Sequence, residues 1–280
     1  MMCIKGQRAI LPVVLCVSML VGCDGGKGKT GDGAPPNAGK RAMEDAARIA
    51  KKKIYFGHMS VGANILDGLR DILTQIPGNP INIFETKDPS DFDSPVFAHS
   101  QIGKNGDPAS KIKDFVGLID GGLGRKADIA FFKLCYIDIL SDTDADEVFR
   151  RYNKAMRSLR ERYPKVAFIH MTVPLRTVQT GFKAAIKQLI GRPIGGYADN
   201  YTRSRYNELL RQEYQGKEPL FDLAEIESTF PDGRRALFES SGKTCEALVP
   251  DYTNDGGHLN EYGRKIVAAK FLAFLATLPN

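Results

Sequence analysis

Apolar residues recur along this chain at two spacings, and the two spacings alternate. Between Val61 and Ile76 they fall three and four positions apart, which is the pattern of a helix with one buried face. Between Asp128 and Leu134 they form a nearly continuous run, which is typical of a strand covered on both faces of its sheet. The chain therefore predicts a repeated order of strand and helix.

Over the whole chain, the predicted helices cover residues 42–52, 61–76, 110–119, 144–162, 182–190, 203–214 and 262–278. The predicted strands cover 53–56, 81–84, 128–134, 165–171 and 219–223, and a long polar loop is expected from the second strand to about residue 109. Such alternation favours a parallel sheet, and right-handed connections place helices on both of its faces. We expect an α/β fold, a three-layer α/β/α sandwich, with any site at the carboxyl ends of its strands.

The N-terminal residues predict export. Two basic residues precede an apolar run over 9–21, which is shorter than the ~20 residues that a membrane-spanning helix needs. Leu20-Val21-Gly22-Cys23 resembles the lipobox of bacterial lipoproteins, which implies cleavage before Cys23 and a lipid anchor on it. A plain cleaved signal is the alternative. We expect a signal peptide over 1–22, a lipidated Cys23 with a flexible tether over 23–41, and one domain over 42–280, exported and held on a membrane.

Composition and charge narrow the function further. Hydrophobic residues make up 42% and charged residues 26% of the 280-residue chain, as in ordinary globular proteins. The formal net charge of +6 is mild and basic residues do not interleave with aromatic ones, so we expect no nucleic-acid partner. The spacing of the His and Cys residues indicates no metal site, and no cofactor is expected.

Ser60 is the first candidate for chemistry. It follows the first predicted strand in a tight turn and precedes a predicted helix, whose free N–H groups would stabilise negative charge that develops there. Serine is also a preferred residue at helix N-termini, so a capping role is the alternative for Ser60.

Asp255 and His258 form the second candidate. They are separated by two glycines and lie just before the last predicted helix. A carboxylate three residues before a histidine can fold back to hold one ring nitrogen, which leaves the other nitrogen free to accept a proton from a nucleophile. A glycine-rich turn without chemistry is the alternative.

These two motifs together resemble the SGNH (GDSL-like) hydrolase superfamily over roughly residues 53–278. The most specific part is Asp255-Gly-Gly-His258-Leu-Asn-Glu-Tyr-Gly263, since the family typically carries D-x-x-H-L followed by a glycine. The resemblance implies a flavodoxin-like sandwich and metal-independent ester hydrolysis or acyl transfer. By position it implies that Ser60 is the nucleophile, His258 the general base, and Asp255 the carboxylate that orients the base.

The chain departs from the family's pattern at the other motifs. The family usually has Gly-Asp-Ser at the nucleophile, whereas here His58 stands two residues before Ser60 and is a candidate for substrate binding, with a packed ring as the alternative. The family's second motif supplies a glycine to the oxyanion hole, and Gly103 and Gly106 both compete for that role. Its third motif supplies an asparagine, for which Asn105 is a speculative replacement.

In place of the third motif, the chain has Lys133, Cys135, Tyr136 and Asp138 after the third predicted strand. We expect Lys133 and Asp138 to form an ion pair, because a buried charge needs a partner. Cys135 and Cys245 are candidates for a disulfide in an oxidising compartment, and two separate thiols are the alternative.

The sequence thus favours a membrane-anchored, extracytoplasmic serine esterase that acts on an acylated small molecule or carbohydrate, such as a carbohydrate O-deacetylase. An O-acyltransferase with the same three residues is one alternative. An inactive lipoprotein that binds carbohydrate or serves in assembly is another, because the third motif is missing.

Overall fold

The computed structural model describes residues 38–190, 192 and 194–278. The strands of its main sheet are β1 (Lys53–His58), β2 (Ile83–Glu85), β3 (Val96–Gln101), β4 (Ile129–Phe132), β5 (Ala167–Met171) and β6 (Leu220–Phe221). They lie in the order β2-β3-β1-β4-β5-β6, and each neighbouring pair is parallel. The predicted parallel sheet is therefore confirmed.

The helices of the described residues are α1 (Ala38–Ile49), α2 (Val61–Leu73), α3 (Pro108–Asp120), α4 (Ala145–Arg162), α5 (Phe182–Leu189), α6 (Tyr197–Tyr214), α7 (Leu223–Glu227) and α8 (Glu261–Thr277). Most begin and end within three residues of their predicted bounds. The largest shifts are at α6, which begins six residues early, and at α1, which begins inside the predicted tether. None of the described helices is both long enough and apolar enough to cross a membrane.

Apolar side chains cover both faces of the sheet, in two separate clusters. One cluster packs α1, α2 and α8 against one face, and the other packs α3, α4 and α6 against the opposite face. Along β1, Ile54 and Phe56 enter the first cluster and Tyr55 enters the second, as the two-residue period of a strand requires. The fold is the predicted three-layer α/β/α sandwich.

The structure has strand β3 within the segment that was predicted to be a long polar loop, so that prediction is wrong there. Strand β3 pairs with β1 over its whole length and so occupies the interior of the sheet. Two of its polar residues, His99 and Ser100, are buried and have hydrogen-bond partners: Ser100 Oγ lies 2.6 Å from Tyr55 Oη, and His99 Nδ1 lies 3.1 Å from His58 Nε2. In the sequence, His99 and Ser100 interrupt the apolar run by which a buried strand is otherwise identified.

Two further differences lie near the C-terminus. The strand predicted over 219–223 is limited to β6, because α7 begins at Leu223. An antiparallel hairpin of β7 (Leu237–Ser240) and β8 (Lys243–Glu246) was not predicted. Its two turn residues, Ser241 and Gly242, have φ of 49° and 73°, as a two-residue hairpin turn requires.

The predicted signal peptide over 1–22, Cys23 and the tether up to residue 37 lie outside the described residues.

Candidate active site

The turn after β1 places Ser60 in a strained conformation. Its φ of 48° and ψ of −107° lie in a region that residues other than glycine rarely adopt, at a typical cost of about 1–3 kcal/mol. The side chain makes no capping hydrogen bond to α2, so the alternative role as an N-cap does not describe it. The Ser60 hydroxyl is instead hydrogen-bonded to a residue outside α2.

His258 is the partner of that hydroxyl. Ser60 Oγ lies 2.5 Å from His258 Nε2, although the two residues are far apart in sequence. On the other side of the ring, Nδ1 lies 2.6 Å from Asp255 Oδ2. An ionised carboxylate only accepts hydrogen bonds, so Nδ1 carries the hydrogen and Nε2 is left as the acceptor for the Ser60 hydroxyl. The structure therefore joins the three predicted residues in one chain of hydrogen bonds.

The turn that holds Asp255 is fixed by its own backbone. The Gly257 and His258 amides donate to Asp255 Oδ1 at 2.9 and 2.8 Å. Gly256 has a φ of 83°, and a Cβ added there would meet Thr177 Oγ1 at 2.8 Å, so both the conformation and the space require glycine. The hydrogen bond from the His258 ring, supported by these amides, holds the pKa of Asp255 well below its usual range. Asp255 therefore remains a carboxylate throughout the neutral and mildly acidic range.

Tyr136 lies against the same histidine. Its hydroxyl is 3.4 Å from His258 Nε2, and its ring meets the imidazole edge-on with centroids 5.6 Å apart. The Arg176 guanidinium lies 5.4 Å from the centre of the Tyr136 ring, and that of Arg203 lies 5.9 Å from it. In the sequence, Tyr136 stands out only as one of the residues that replace the third motif. Its position directly after β4 was the available signal.

The two predicted oxyanion-hole glycines do not offer their amides. Gly103 N donates to Asp114 Oδ2 at 2.8 Å, and Gly106 N donates to Asp138 Oδ1 at 2.8 Å. Because each amide is already engaged by a carboxylate, neither can donate to a substrate oxygen without breaking a structural hydrogen bond. The structure therefore contradicts the prediction that Gly103 or Gly106 donates its amide to an oxyanion.

Asn105 belongs to a structural network in the same loop. Its Oδ1 accepts a hydrogen bond from Lys111 Nζ at 3.0 Å, and Lys111 Nζ also lies 2.6 Å from Asp138 Oδ2. Asp138 further accepts from the Cys135 amide at 2.6 Å. We call Lys111, Asp138 and Asn105 the rim brace, because they tie the loop after β3 to the loop after β4. The structure uses Asn105 in this brace, and no hydrogen bond among the described residues joins it to Ser60 or His258.

The predicted ion pair between Lys133 and Asp138 is wrong. Asp138 pairs with Lys111, and both of those side chains are fully buried. Lys133 is also buried, but its Nζ lies 3.3 Å from Cys135 Sγ and 3.5 Å from the Leu134 carbonyl oxygen. The sequence could not distinguish the two lysines, because Lys111 comes from α3 and only the packing of α3 brings it to Asp138.

His58 is buried rather than open to a substrate. Only 4% of the residue is exposed, and its Nε2 lies 3.1 Å from His99 Nδ1. The other nitrogen of His99 lies 3.1 Å from Arg70 Nη2, which can only donate, so His99 carries its hydrogen on Nδ1 and donates to His58 Nε2. His58 then carries its own hydrogen on Nδ1, which has no hydrogen-bond partner among the described residues. Burial lowers the pKa of His58 to about 3, which keeps the ring neutral. The packed ring, and not the substrate-binding role, describes this residue.

The predicted disulfide is also wrong, because Cys135 and Cys245 are both free and buried. Cys135 lies in the loop after β4, with its Sγ 3.8 Å from the Met59 carbonyl oxygen. Cys245 lies on β8 and packs with Phe238 in a small separate apolar cluster. The two thiols therefore occupy different environments, as the alternative held.

The chain was compared with known proteins at three levels. No family model matches it, and no curated protein matches it. The solved structures similar to it include a protein described as a platelet activating factor from Streptococcus pneumonia, with 14% identity and a TM-score of 0.47 over 85% of this chain and 90% of that one.

Two others are described as a lipolytic protein of the G-D-S-L family from Desulfitobacterium hafniense and a lipase from Chitinophaga pinensis. The first has 10% identity and a TM-score of 0.41 over 80% of this chain and 99% of that one. The second has 15% identity and a TM-score of 0.38 over 78% of this chain and 95% of that one.

Proposed function

We propose that this chain is a serine ester hydrolase of the SGNH type, with Ser60 as nucleophile, His258 as general base and Asp255 as the carboxylate that orients it. The observation that carries the proposal is the hydrogen-bond chain from Ser60 Oγ through His258 to Asp255, with links of 2.5 and 2.6 Å. A nucleophile within hydrogen-bond reach of a base, and a base held by a third group, is the arrangement that covalent catalysis requires.

The first half of the reaction forms an acyl-enzyme. Ser60 Oγ bonds to the acyl carbonyl carbon of the ester while His258 Nε2 takes the hydroxyl proton. The carbonyl electron pair moves to its oxygen and then returns, which breaks the bond to the leaving alcohol. His258 gives its proton to that alcohol, and the acyl group remains on Ser60.

The second half releases the acyl group. A water molecule attacks the same carbonyl carbon, His258 takes a proton from that water, and the proton then passes to Ser60 Oγ as the ester bond breaks. An acyltransferase would differ only in using another alcohol in place of water. Asp255 holds the Nδ1 hydrogen throughout and stabilises the imidazolium that forms in each half.

The position of Ser60 at the start of α2 supports the same chemistry. The helix N-terminus carries a partial positive charge, which favours the negative oxygen of the tetrahedral intermediate. The Ser60 amide has no hydrogen-bond acceptor among the described residues, so this N–H is free to bind the oxyanion.

We further propose that the protein works outside the cytoplasm, held on a membrane by a lipid on Cys23. The support is Leu20-Val21-Gly22-Cys23 after a short apolar run. Metabolic labelling with a fatty-acid analogue tests this directly. Label on the wild type but not on Cys23→Ala supports the anchor, and an unlabelled, fully secreted wild type rejects it.

The catalytic proposal is tested with a fluorophosphonate probe and with two sets of substrates, short acyl esters and acetylated sugars. We expect the probe to label the wild type once, and Ser60→Ala to be folded and unlabelled. Turnover of acetylated sugars above that of simple esters supports a carbohydrate deacetylase. A folded wild type that neither reacts with the probe nor hydrolyses any ester would reject the enzyme and favour the binding module.

A further inference from the structure

The proposed reaction places negative charge on the substrate's carbonyl oxygen. Hydrogen-bond donors near Ser60 are needed to stabilise this charge, and most of the predicted donors are engaged elsewhere. The amides of Gly103 and Gly106 are engaged by Asp114 and Asp138. Asn105 Oδ1 accepts from Lys111 Nζ in the rim brace, and no hydrogen bond among the described residues joins the Asn105 side chain to Ser60 or His258. Of the three candidate backbone amides, those of Gly103, Gly106 and Ser60, only the Ser60 amide has no acceptor among the described residues, whereas removal of a single oxyanion donor typically costs about 10²–10³ in rate. Another donor is therefore to be expected near Ser60.

We propose that Tyr136 is this donor, and that its phenol O–H binds the oxyanion formed at Ser60. This inference rests on the proposed function. The Tyr136 hydroxyl lies 3.4 Å from His258 Nε2, the atom that is itself 2.5 Å from Ser60 Oγ. It is therefore within a few ångströms of the atom to which the acyl carbon becomes bonded, and it stands on the loop where the family's third motif would supply an asparagine.

When His258 Nε2 becomes protonated during the reaction, the Tyr136 phenol loses a hydrogen-bond acceptor and becomes available to the oxyanion. Before the reaction, His258 Nε2 can accept a hydrogen bond from the Ser60 hydroxyl or from the Tyr136 hydroxyl. When Nε2 takes the proton of Ser60, it becomes a donor and can no longer accept from the phenol. The Tyr136 O–H then has to find another acceptor, and the newly formed oxyanion is the strongest one within reach.

The Tyr136 ring is held where this role requires it. The Arg203 guanidinium, which is fully buried, donates from Nε to the Tyr136 carbonyl oxygen at 2.9 Å. Arg176 lies near the ring and donates to the carbonyl oxygens of Asp255 and Gly256 at 3.4 and 3.3 Å. Partial burial raises the pKa of Tyr136, so the phenol remains protonated, as a donor must, at neutral pH.

Gly257 provides the space for this approach. A Cβ added at Gly257 would meet the Tyr136 ring at 3.1 Å, which is tighter than ordinary side-chain contacts. The glycine pair between Asp255 and His258 therefore serves two partners. Gly256 allows the turn that brings the carboxylate back to the imidazole, and Gly257 allows the phenol to lie against the imidazole edge.

The test compares Tyr136→Phe with Tyr214→Phe. The first removes only the hydroxyl beside His258, and the second removes a hydroxyl that donates to Asn153 Oδ1 at 3.1 Å, outside the active site. For Tyr136→Phe we expect kcat to fall about 10²-fold or more and KM to change less than about threefold, because an oxyanion donor acts in the transition state. Phosphonylation of Ser60 by the fluorophosphonate should slow similarly. Tyr214→Phe should keep the wild-type kcat.

Thermal unfolding of Tyr136→Phe separates chemistry from folding, and we expect a wild-type transition. A wild-type kcat in Tyr136→Phe overturns the inference, as does a loss confined to KM, which would assign the phenol to substrate binding. In both cases the probe still labels Ser60 in the wild type, so the proposed function stands. If the wild type is not labelled at all, it is the proposed function that fails.

Discussion

Two polar networks lie at the carboxyl-end edge of the sheet, and they use their hydrogen bonds in opposite ways. In the rim brace, Asp138 and Lys111 are fully buried, and Asp138 also holds the amides of two loops. In the network of Ser60, His258 and Asp255, the histidine and aspartate side chains are 43% and 57% exposed, and the Ser60 hydroxyl lies against a ring nitrogen that can take its proton. The first network ties two loops together, whereas the proposed function of the second requires a proton to move from Ser60 Oγ to His258 Nε2.

The comparison shows that polar residues after strands do not by themselves identify a catalytic group. The amides of Gly103 and Gly106 and the side-chain oxygen of Asn105 lie where the fold places a site, yet each is hydrogen-bonded within the protein. Ser60 lies at the same edge, and its hydroxyl is hydrogen-bonded to the imidazole of His258. A candidate catalytic residue is therefore recognised by the hydrogen-bonding capacity that remains after folding.

The largest effect is expected on kcat, when Asp255 in the network of Ser60, His258 and Asp255 is replaced. Asp255→Asn keeps an oxygen for the Gly257 and His258 amides but places an amide NH₂ against His258 Nδ1, which favours the tautomer with hydrogen on Nε2. That tautomer cannot accept the Ser60 proton, so kcat should fall by about 10²–10⁴. Steady-state ester hydrolysis measures the loss, and the free energy of urea unfolding should stay near that of the wild type. A variant with wild-type kcat contradicts the role of Asp255.

The next effect should appear in stability. Lys111→Met leaves the Asp138 carboxylate buried without its cation, and breaking a buried pair in this way typically costs about 3–5 kcal/mol of unfolding free energy. The control is Lys126→Met, which removes an exposed ion pair with Asp93 and should cost far less unfolding free energy, because water and salt screen an exposed pair. Urea unfolding of both variants tests the comparison. Equal losses would mean that the rim brace stabilises the fold no more than a surface ion pair does.

A smaller effect is expected on how the free energy of unfolding depends on pH. Burial lowers the pKa of His58 to about 3 from an ordinary value of 6.5, so between these values the unfolded chain binds a proton at this residue and the native chain does not. Stability should therefore decrease as the pH falls from about 6.5, by up to about 1.4 kcal/mol per pH unit for this one group. His58→Gln should show a shallower decrease in urea unfolding between pH 7 and pH 5. An identical slope would show that His58 is protonated in the native state.

The smallest effect is expected at Asn105. Asn105→Ala removes one hydrogen bond to Lys111 Nζ, which keeps its bond to Asp138, so we expect a loss of about 1 kcal/mol in unfolding free energy and a kcat within about threefold of the wild-type value. The measurement is the same ester assay that is used for Asp255→Asn. If hydrolysis instead slows by about 10²-fold, Asn105 is an oxyanion donor, as the sequence suggested.

Much of the architecture could be predicted from the sequence because apolar periodicity reports burial directly. The parallel sheet, its helical layers and most helix ends follow from it. Strand β3 could not be recognised, because His99 and Ser100 are buried through partners on β1 that no local pattern contains. The hairpin at Ser241 and Gly242 did carry a turn signal, which a search for two-residue turns would have found.

In the candidate site too, some residues could be predicted from the sequence and others could not. Ser60, Asp255 and His258 could be proposed from motif resemblance, since their spacing and positions are carried by the chain itself. The partners of Gly103, Gly106 and Asp138 could not, because they depend on how α3 and the rim loops pack. Tyr136 was visible after β4, but only its approach to His258 distinguishes it from the residues around it.

The central claim is that Ser60 becomes covalently acylated during turnover, and acid quenching followed by peptide mass spectrometry tests it most directly. The wild type is mixed with an excess of p-nitrophenyl acetate and quenched during steady-state hydrolysis. We expect one acetyl group on the peptide that contains Ser60, and none at that peptide in Ser60→Ala. Ester hydrolysis by the wild type that continues unchanged in Ser60→Ala, with acetyl groups elsewhere or nowhere, would contradict the account.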